Sequence, residues 1–279
     1  MESIRWSNLT NHGESQKYVE KALQIAEIAE KSAIPMKLMG CIAVKIHCPN
    51  WSEFHEHTMQ RHATDLDFMT LSKYRGKVES MLGSLGYHPM RTTTPREDRL
   101  IYLDNDDMHV DVFFDKLSMC HTIDFKNRLQ IDHQTISLSD IVLEKLQIVK
   151  INEKDIKDVM ILLREHAIGS DENETINGDY IAKLFSNDWG FYYTATNNLK
   201  LIKEKLNENN YRTIFKEEDI KDIANKIDKL LNVIENEPKS TSWKVRARTG
   251  TKKKWYQDVE EVQVGGEFES ELAKLLKGG

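Results

Sequence analysis

The sequence predicts an α/β fold in which a mixed sheet with covering helices is followed by a mostly helical C-terminal domain. Strand-like runs alternate with amphipathic segments up to about residue 135. Beyond Ser139, apolar residues recur at helical spacing in almost every segment. The turn-forming run 104–107 lies between two strand-like runs, a pattern typical of a β-hairpin. We therefore predict an α/β domain over 1–135 and a helical domain over 136–279.

The elements of the first domain follow from apolar spacing and from turn residues. Ser15 is a candidate N-cap for an amphipathic helix, and Pro35 ends that pattern. Gly86 is a candidate C-cap for a later helix. In chain order, the sequence predicts a helix over 15–32, a strand over 36–39, a helix over 42–48, a strand over 65–69, a helix over 74–85, and strands over 99–103 and 108–114.

The second domain is predicted from its amphipathic helices. Ser139 and Asp140 are expected to cap the first of them. The apolar stripe of the last long helix is typical of a bundle core, and the aromatic run 189–193 is expected to form a core seam. The predicted helices cover 139–149, 154–165, 178–185, 192–206 and 216–234.

Composition argues against a nucleic-acid-coating protein, a membrane protein and a disulfide-rich protein. The 279 residues carry a formal charge of −6 with 39% hydrophobic residues, which does not indicate generic coating of nucleic acid. No apolar run reaches the length of a membrane span, and the first six residues have no apolar core like that of a signal peptide. The three Cys form no CxxC pair. We expect a cytoplasmic protein without disulfides or membrane contact.

Three aspartates form the strongest candidate site. Asp65 and Asp67 are two residues apart on a predicted strand, so both side chains leave the same face. Asp111 lies on another predicted strand, with apolar neighbours on the opposite face. If the two strands are adjacent, three carboxylates converge and require cations to offset their repulsion. Oxygen ligands of this kind suit Mg²⁺ bound to substrate phosphates. An isolated Asp-x-Asp is more often a turn or a solvated face.

A second feature precedes these aspartates. Gly40 and Cys41 lie between a predicted strand and a predicted helix. A tight glycine turn at a helix N-terminus presents backbone N–H groups to a phosphate. This feature favours the phosphate-handling interpretation of Asp65 and Asp67.

The ordered combination resembles a known family. The run Arg-His-Ala-Thr-Asp-Leu-Asp-Phe at 61–68 is similar to the Arg-x-Ser-x-Asp-x-Asp-Phe signature of AbiEii/MenT-type nucleotidyltransferases, which are toxins of toxin–antitoxin pairs. Glu-Lys-Leu at 144–146, followed by Lys-Asp-x-x-Asp at 154–158, is similar to that family's helical signature. The resemblance covers roughly residues 15–165.

The resemblance implies a nucleotidyltransferase fold and the transfer of a nucleoside monophosphate from ATP or another NTP to an acceptor hydroxyl, with Mg²⁺ or Mn²⁺. It also implies an antitoxin partner. The acceptor would be RNA, tRNA or protein. The implied roles are metal binding by Asp65 and Asp67, metal binding or base catalysis by Asp111, nucleotide binding by Gly40, Cys41, Arg61 and Lys145, and orientation of a phosphate or the acceptor by Asp155.

A basic segment near the C-terminus bears on the acceptor. Residues 239–257 hold seven Lys and Arg and no acid, with Trp243, Trp255 and Tyr256 interleaved. Basic and aromatic side chains suit RNA or a triphosphate. The alternative is a solvated basic hairpin that packs on acidic helices. If the segment is a strand, Lys244, Arg246 and Arg248 share one face.

Other interpretations stay open. The acceptor could be a small molecule such as an antibiotic hydroxyl, or the chain could be a non-catalytic member that binds a nucleotide or a partner. The histidines at 47, 55, 57 and 62 with Cys48 match no zinc-ligand spacing. A polar loop is favoured over a zinc site, with His55 and His57 as candidates for the mouth of the active site.

Overall fold

The computed structural model describes residues 13–90, 97–105 and 108–259. Its elements alternate between strand and helix in the first half and are mostly helical afterwards. The helices are α1 (Gln16–Lys31), α2 (Gly40–His47), α3 (Arg75–Ser84), α4 (Leu138–Leu146), α5 (Glu153–Glu165), α6 (Gly178–Phe185), α7 (Trp189–Lys205), α8 (Asn209–Arg212), α9 (Glu217–Asn236) and α10 (Thr241–Thr249). The strands are β1 (Lys37–Leu38), β2 (Leu66–Thr70), β3 (His88–Pro89), β4 (Arg99–Leu103), β5 (His109–Phe114), β6 (Lys116–Ser118), β7 (Thr122–Asp124), β8 (Ala167–Gly169) and β9 (Thr175–Asn177).

The main sheet is mixed, and its strand order is β1-β2-β5-β4-β3. β2 and β5 are parallel, whereas β1 with β2, β3 with β4 and β4 with β5 are antiparallel. The predicted hairpin is therefore confirmed as β4 and β5; Asp106 and Asp107 of its turn lie outside the described residues. The structure thus confirms a mixed α/β sheet followed by a mostly helical second half.

Two hydrophobic clusters build the core, and α2 lies between them. Cys41 and Ile42 pack in the cluster formed by the sheet, α1 and α3. Ala43 and Val44 pack in the cluster formed mainly by α4 to α9. α2 is buried nearly throughout, and its apolar residues pack into both clusters. The second cluster already includes Leu117 of β6, which precedes the predicted domain boundary near residue 135.

The helical half follows the predicted apolar stripes, with local corrections. The stripe of α9 is buried as predicted for a bundle core, and Phe191 of the aromatic run is buried in the same cluster. The cap predicted at Ser139 is wrong: Ser137 is the N-cap of α4, and its Oγ accepts the N–H of Asp140. The parallel pair β8 and β9, between α5 and α6, was not predicted. None of the helices in the described ranges is long and apolar enough to cross a membrane.

Candidate active site

The register of two parallel strands brings the central carboxylates together. Asp67 on β2 is the direct neighbour of Asp111 on β5, and side chains at paired positions leave the same face of a sheet. Val110 and Val112 point to the opposite face and are fully buried in the sheet cluster. Asp65 lies one residue before β2 begins. The predicted convergence of Asp67 and Asp111 therefore follows from strand register.

The electrostatics of this group are those of crowded acids. Burial raises the pKa of Asp67 well above its usual range, and the negative charges of Asp65, Asp111 and Glu144 raise it further. Burial also raises the pKa of Asp111, although Arg99 opposes the shift. A carboxylate cluster with these pKa shifts favours a bound cation over its own ionised, unpaired state.

Gly40 approaches Asp67 more closely than any other residue type could. It is the first residue of α2 and has φ +66°, a conformation that favours glycine. A Cβ built on Gly40 would lie 2.5 Å from Oδ2 of Asp67. The N–H of Met39 donates to the carbonyl of Asp67 at 3.0 Å, which holds the two segments together. The turn that was predicted to receive phosphate thus lies directly against an aspartate that was predicted to bind metal.

A residue of α4, Glu144, lies at the N-terminus of α2. The segment before α4 runs beside β1, because Leu38 donates to the carbonyl of Gln134 and Ile136 donates to that of Leu38. This anchor brings Glu144 to the helix N-terminus, where its Oε2 accepts the N–H of Gly40 at 3.1 Å. Glu144 supplies the anion that this N-terminus favours. Its place next to Gly40 was not predicted from the sequence.

Lys145 lies at the centre of an acidic cluster. Its Nζ is 3.0 Å from Glu144, 3.6 Å from Asp155 and 3.3 Å from Asp158. Burial alone would lower the pKa of Lys145, but the three carboxylates outweigh burial and hold that pKa well above its usual range. Lys145 is therefore held as a buried cation, and the structure brings it together with Asp155; the roles implied for the two residues stay predictions.

Arg61 is fixed beneath this cluster. Its Nε and Nη2 donate to the two oxygens of Asp158 at 2.9 and 3.0 Å, and its Nη1 donates to the carbonyl of His62. His55 is fully buried with its Nε2 3.1 Å from Asp158, so it does not lie at an open mouth. Burial alone would raise the pKa of Asp158, but Lys145, His55 and Arg61 hold it far below its usual value. The nucleotide-binding role of Arg61 stays a prediction.

A second buried pair anchors the loop that leads into Asp65. Lys45 of α2 lies 2.6 Å from Glu56, and both side chains are fully buried. The N–H and Oγ of Ser15 and the ring of His62 also bond to Glu56. Burial alone would raise the pKa of Glu56, but these hydrogen bonds lower it from 4.5 to about 2. The loop is thus fastened to α1 and α2 just before β2 begins.

Arg99 contacts the candidate site and was not singled out from the sequence. Its Nη2 and Nε donate to the two carboxylate oxygens of Asp111 at 2.6 and 3.2 Å. Within residues 13–90, 97–105 and 108–259, no group of three or more His, Cys, Asp or Glu side chains is arranged to hold a metal ion. In this arrangement both oxygens of Asp111 face a guanidinium. A cation shared by Asp67 and Asp111 would therefore lie beside the positive charge of Arg99.

The basic segment is helical, so the shared strand face considered for Lys244, Arg246 and Arg248 does not form. Residues Thr241–Thr249 form α10, on which Lys244 and Arg248 are one turn apart and exposed. Arg246 instead donates to the carbonyls of Gly250 and Lys253, each at 2.8 Å. The segment packs on α7, where Trp255 donates to Thr194 at 3.1 Å. The segment therefore packs on α7 of the same chain and also exposes basic side chains to solvent.

Comparisons with known protein families, sequences and structures do not identify a family for this protein. Neither the known family profiles nor the curated protein sequences give a match to this chain. Among solved structures, one that matches is the solution structure of the antibiotic-resistance factor ANT(2'')-Ia, an aminoglycoside nucleotidyltransferase. The match has a TM-score of 0.40 and 13% identity, and it covers 61% of this chain and 94% of that one. At this level of similarity the interpretation of the site rests on its own residues.

Proposed function

We propose that the protein is a metal-dependent nucleotidyltransferase that moves a nucleoside monophosphate from an NTP to an acceptor hydroxyl and releases pyrophosphate. The observation that carries the proposal is the register of Asp67 with Asp111 beside the close approach of Gly40 to Asp67. A carboxylate pair next to a glycine turn at a helix N-terminus combines a cation site with a phosphate site.

The donor set fits a hard divalent cation. Asp65, Asp67 and Asp111 offer only oxygen ligands. The pKa of Asp67 is raised first by burial and then by the negative charges of its neighbours, which a cation would offset. We propose that these three residues hold Mg²⁺ or Mn²⁺. When bound, the cation would neutralise phosphate charge and stabilise the attacking and leaving oxygens.

The phosphate chain fits the groups around Gly40. The carboxylate of Glu144 accepts the N–H of Gly40 and lies 3.0 Å from Nζ of Lys145. It therefore contacts both a backbone donor and a buried cation. We propose that the phosphates of the NTP replace Glu144 at the N–H of Gly40 and gain the positive charge of Lys145. Asp155 and Asp158 hold that lysine in position from α5.

In the proposed reaction the acceptor oxygen attacks the α-phosphorus. A new P–O bond forms, the bond between the α-phosphorus and the bridging oxygen to the β-phosphate breaks, and the electron pair leaves with pyrophosphate. We propose that the acceptor proton goes to the carboxylate of Asp111 as general base. The remaining contribution is positioning and charge stabilisation.

The test is transfer of label from each [α-³²P]NTP in the presence of Mg²⁺ and total tRNA, with Asp67→Asn as the matched variant. Asn keeps the size of Asp67 and removes its charge, so we expect wild-type transfer and a loss of at least about 100-fold in the variant. Transfer that is equal in both proteins would refute this assignment of the site. No transfer to tRNA, protein or small hydroxyl compounds would favour a binding-only member of the fold.

We propose RNA as the acceptor class because exposed basic side chains lie on and after α10. Lys244, Arg248, Lys252 and Lys253 are all exposed, and such side chains bind phosphates. Charge reversal of Lys244 and Arg248 should weaken RNA binding and leave NTP binding unchanged. Label appearing on an aminoglycoside but not on tRNA would favour a small-molecule acceptor. A toxin role would show as growth arrest on expression that Asp67→Asn abolishes.

A further inference from the structure

Arg99 holds Asp111 from the neighbouring strand. It lies on β4, where its backbone partner on β5 is Phe113, so its side chain reaches two residues along β5 to Asp111. The contact is a two-pronged ion pair, which is the strongest form of arginine–carboxylate contact. The Asp111 carboxylate is buried, and Arg99 neutralises its charge.

Arg99 is held less firmly than the other arginine of the site. The side chain of Arg61 is 8% exposed and uses all three nitrogens within the protein. The side chain of Arg99 is 23% exposed, and its contacts in the described residues are Asp111 and the ring of Phe113 at 5.1 Å. A guanidinium that has one carboxylate partner and a route to solvent can exchange that partner for another anion.

The cation and Arg99 compete for the same carboxylate. A divalent ion shared by Asp67 and Asp111 would place two positive charges beside the Arg99 guanidinium, and like charges repel at this distance. A nucleotide brings phosphate oxygens, to which arginine binds as well as it binds to carboxylates. Binding of a cation to Asp111 would therefore leave Arg99 available for the phosphates of an arriving nucleotide.

We propose that Arg99 is an exchangeable counter-ion: it pairs with Asp111 in the metal-free protein and transfers to the phosphates of the nucleotide when the cation binds. The proposal rests on the proposed function of the site. Arg99 is then a positioning residue that makes metal binding weak in the absence of nucleotide and strong in its presence.

The test measures binding of two probes rather than activity. Mn²⁺ binding is followed by electron paramagnetic resonance of the free ion, and tripolyphosphate binding by calorimetry with Mn²⁺ present. We expect Arg99→Met to bind Mn²⁺ alone about 10-fold more tightly and tripolyphosphate about 10-fold more weakly, within the usual range of coupling between sites. Arg99→Lys keeps the charge and should bind Mn²⁺ more nearly as the wild type does.

Arg75→Met is the matched control. Arg75 is 30% exposed at its side chain and lies over the ring of Phe114, also on β5, but its ion-pair partner is Glu79. This variant should change neither affinity. Circular dichroism melting of each variant establishes that it is folded before binding is measured.

The outcomes separate this proposal from the proposed function. Unchanged or weaker Mn²⁺ binding by Arg99→Met, with Mn²⁺ binding abolished by Asp67→Asn, would overturn the exchange and keep the metal site. Mn²⁺ binding that Asp67→Asn leaves intact would overturn the metal site itself. Tighter Mn²⁺ binding in both Arg99→Met and Arg75→Met would attribute the effect to general surface charge and would also overturn the exchange.

Discussion

Replacement of Gly40 by alanine tests the geometry of the site at its tightest point. The φ of +66° at Gly40 costs an ordinary residue about 1–2 kcal/mol. The added Cβ would lie 2.5 Å from Oδ2 of Asp67, about 1 Å short of an ordinary contact. Because a displacement of about 1 Å can cost about 100-fold in rate, we expect a large loss of transfer activity.

The assay combines urea unfolding with transfer of label from [α-³²P]NTP. For Gly40→Ala we expect a loss of about 1–3 kcal/mol in the free energy of unfolding and about 100-fold in transfer rate. Gly76→Ala is the control, since Gly76 lies in the first turn of α3 with nothing within 4 Å of the added Cβ. It should be neutral or stabilising by up to about 1 kcal/mol. A Gly40→Ala protein as stable and as active as the wild type would refute this reasoning.

The remaining predictions concern charge and buried polar groups. Asp158→Asn should lower the free energy of unfolding by about 3–5 kcal/mol in urea titration, because it takes from the buried Arg61 the carboxylate with which it pairs; a loss below 1 kcal/mol would contradict this. The folded pKa of Glu56 is about 2 against an ordinary 4.5, so it stabilises the fold above about pH 4.5 by up to about 3 kcal/mol. That stability should disappear as the pH falls from about 5 to 2, and Glu56→Gln should flatten the profile measured by thermal melting. Tyr87→Phe should raise the free energy of unfolding by about 0.5–1 kcal/mol, since the Tyr87 hydroxyl is buried with no hydrogen-bond partner among the described residues; a destabilised variant would contradict this. Glu144→Gln should bind tripolyphosphate about 10-fold more tightly, because the amide competes less well than the carboxylate for the N–H of Gly40; weaker binding in calorimetry would contradict exchange at this position.

The sheet and its aspartates could be predicted because their signals are local. Two strand-like runs with a turn rich in aspartate between them indicate the hairpin and fix its pairing. Once β5 is a buried strand, Asp111 must leave the face opposite Val110 and Val112. Only the adjacency of β2 and β5 was assumed, and the structure shows that the two strands are paired, in parallel.

The contacts across the site could not be predicted because they depend on tertiary docking. The pairing of Arg99 with Asp111 depends on a diagonal contact between strands, and many charged residues on a strand could have made such a contact. Glu144 reaches Gly40 only because the segment before α4 is bonded to Leu38. The spacing of residues in the sequence does not predict either of these two contacts.

The errors at helix ends have a simpler cause. Ser137 and Ser139 are both good N-caps, and local sequence does not choose between them. At α10, the alternation of basic residues suggested a strand, but the signal of a helix was present. Ser240 accepts the N–H of Trp243, which is the N-cap contact expected of a serine at that position.

The central claim is that Asp65, Asp67 and Asp111 hold a divalent cation that meets the phosphates of a nucleotide at Gly40. The most direct measurement is anomalous diffraction at the manganese edge from crystals grown with Mn²⁺ and an α,β-methylene NTP. Our account predicts an anomalous peak within about 2.0–2.5 Å of carboxylate oxygens of Asp67 and Asp111, with phosphate oxygens at the N–H of Gly40. Bound Mn²⁺-nucleotide elsewhere in the crystal, with no peak between these carboxylates, would contradict it.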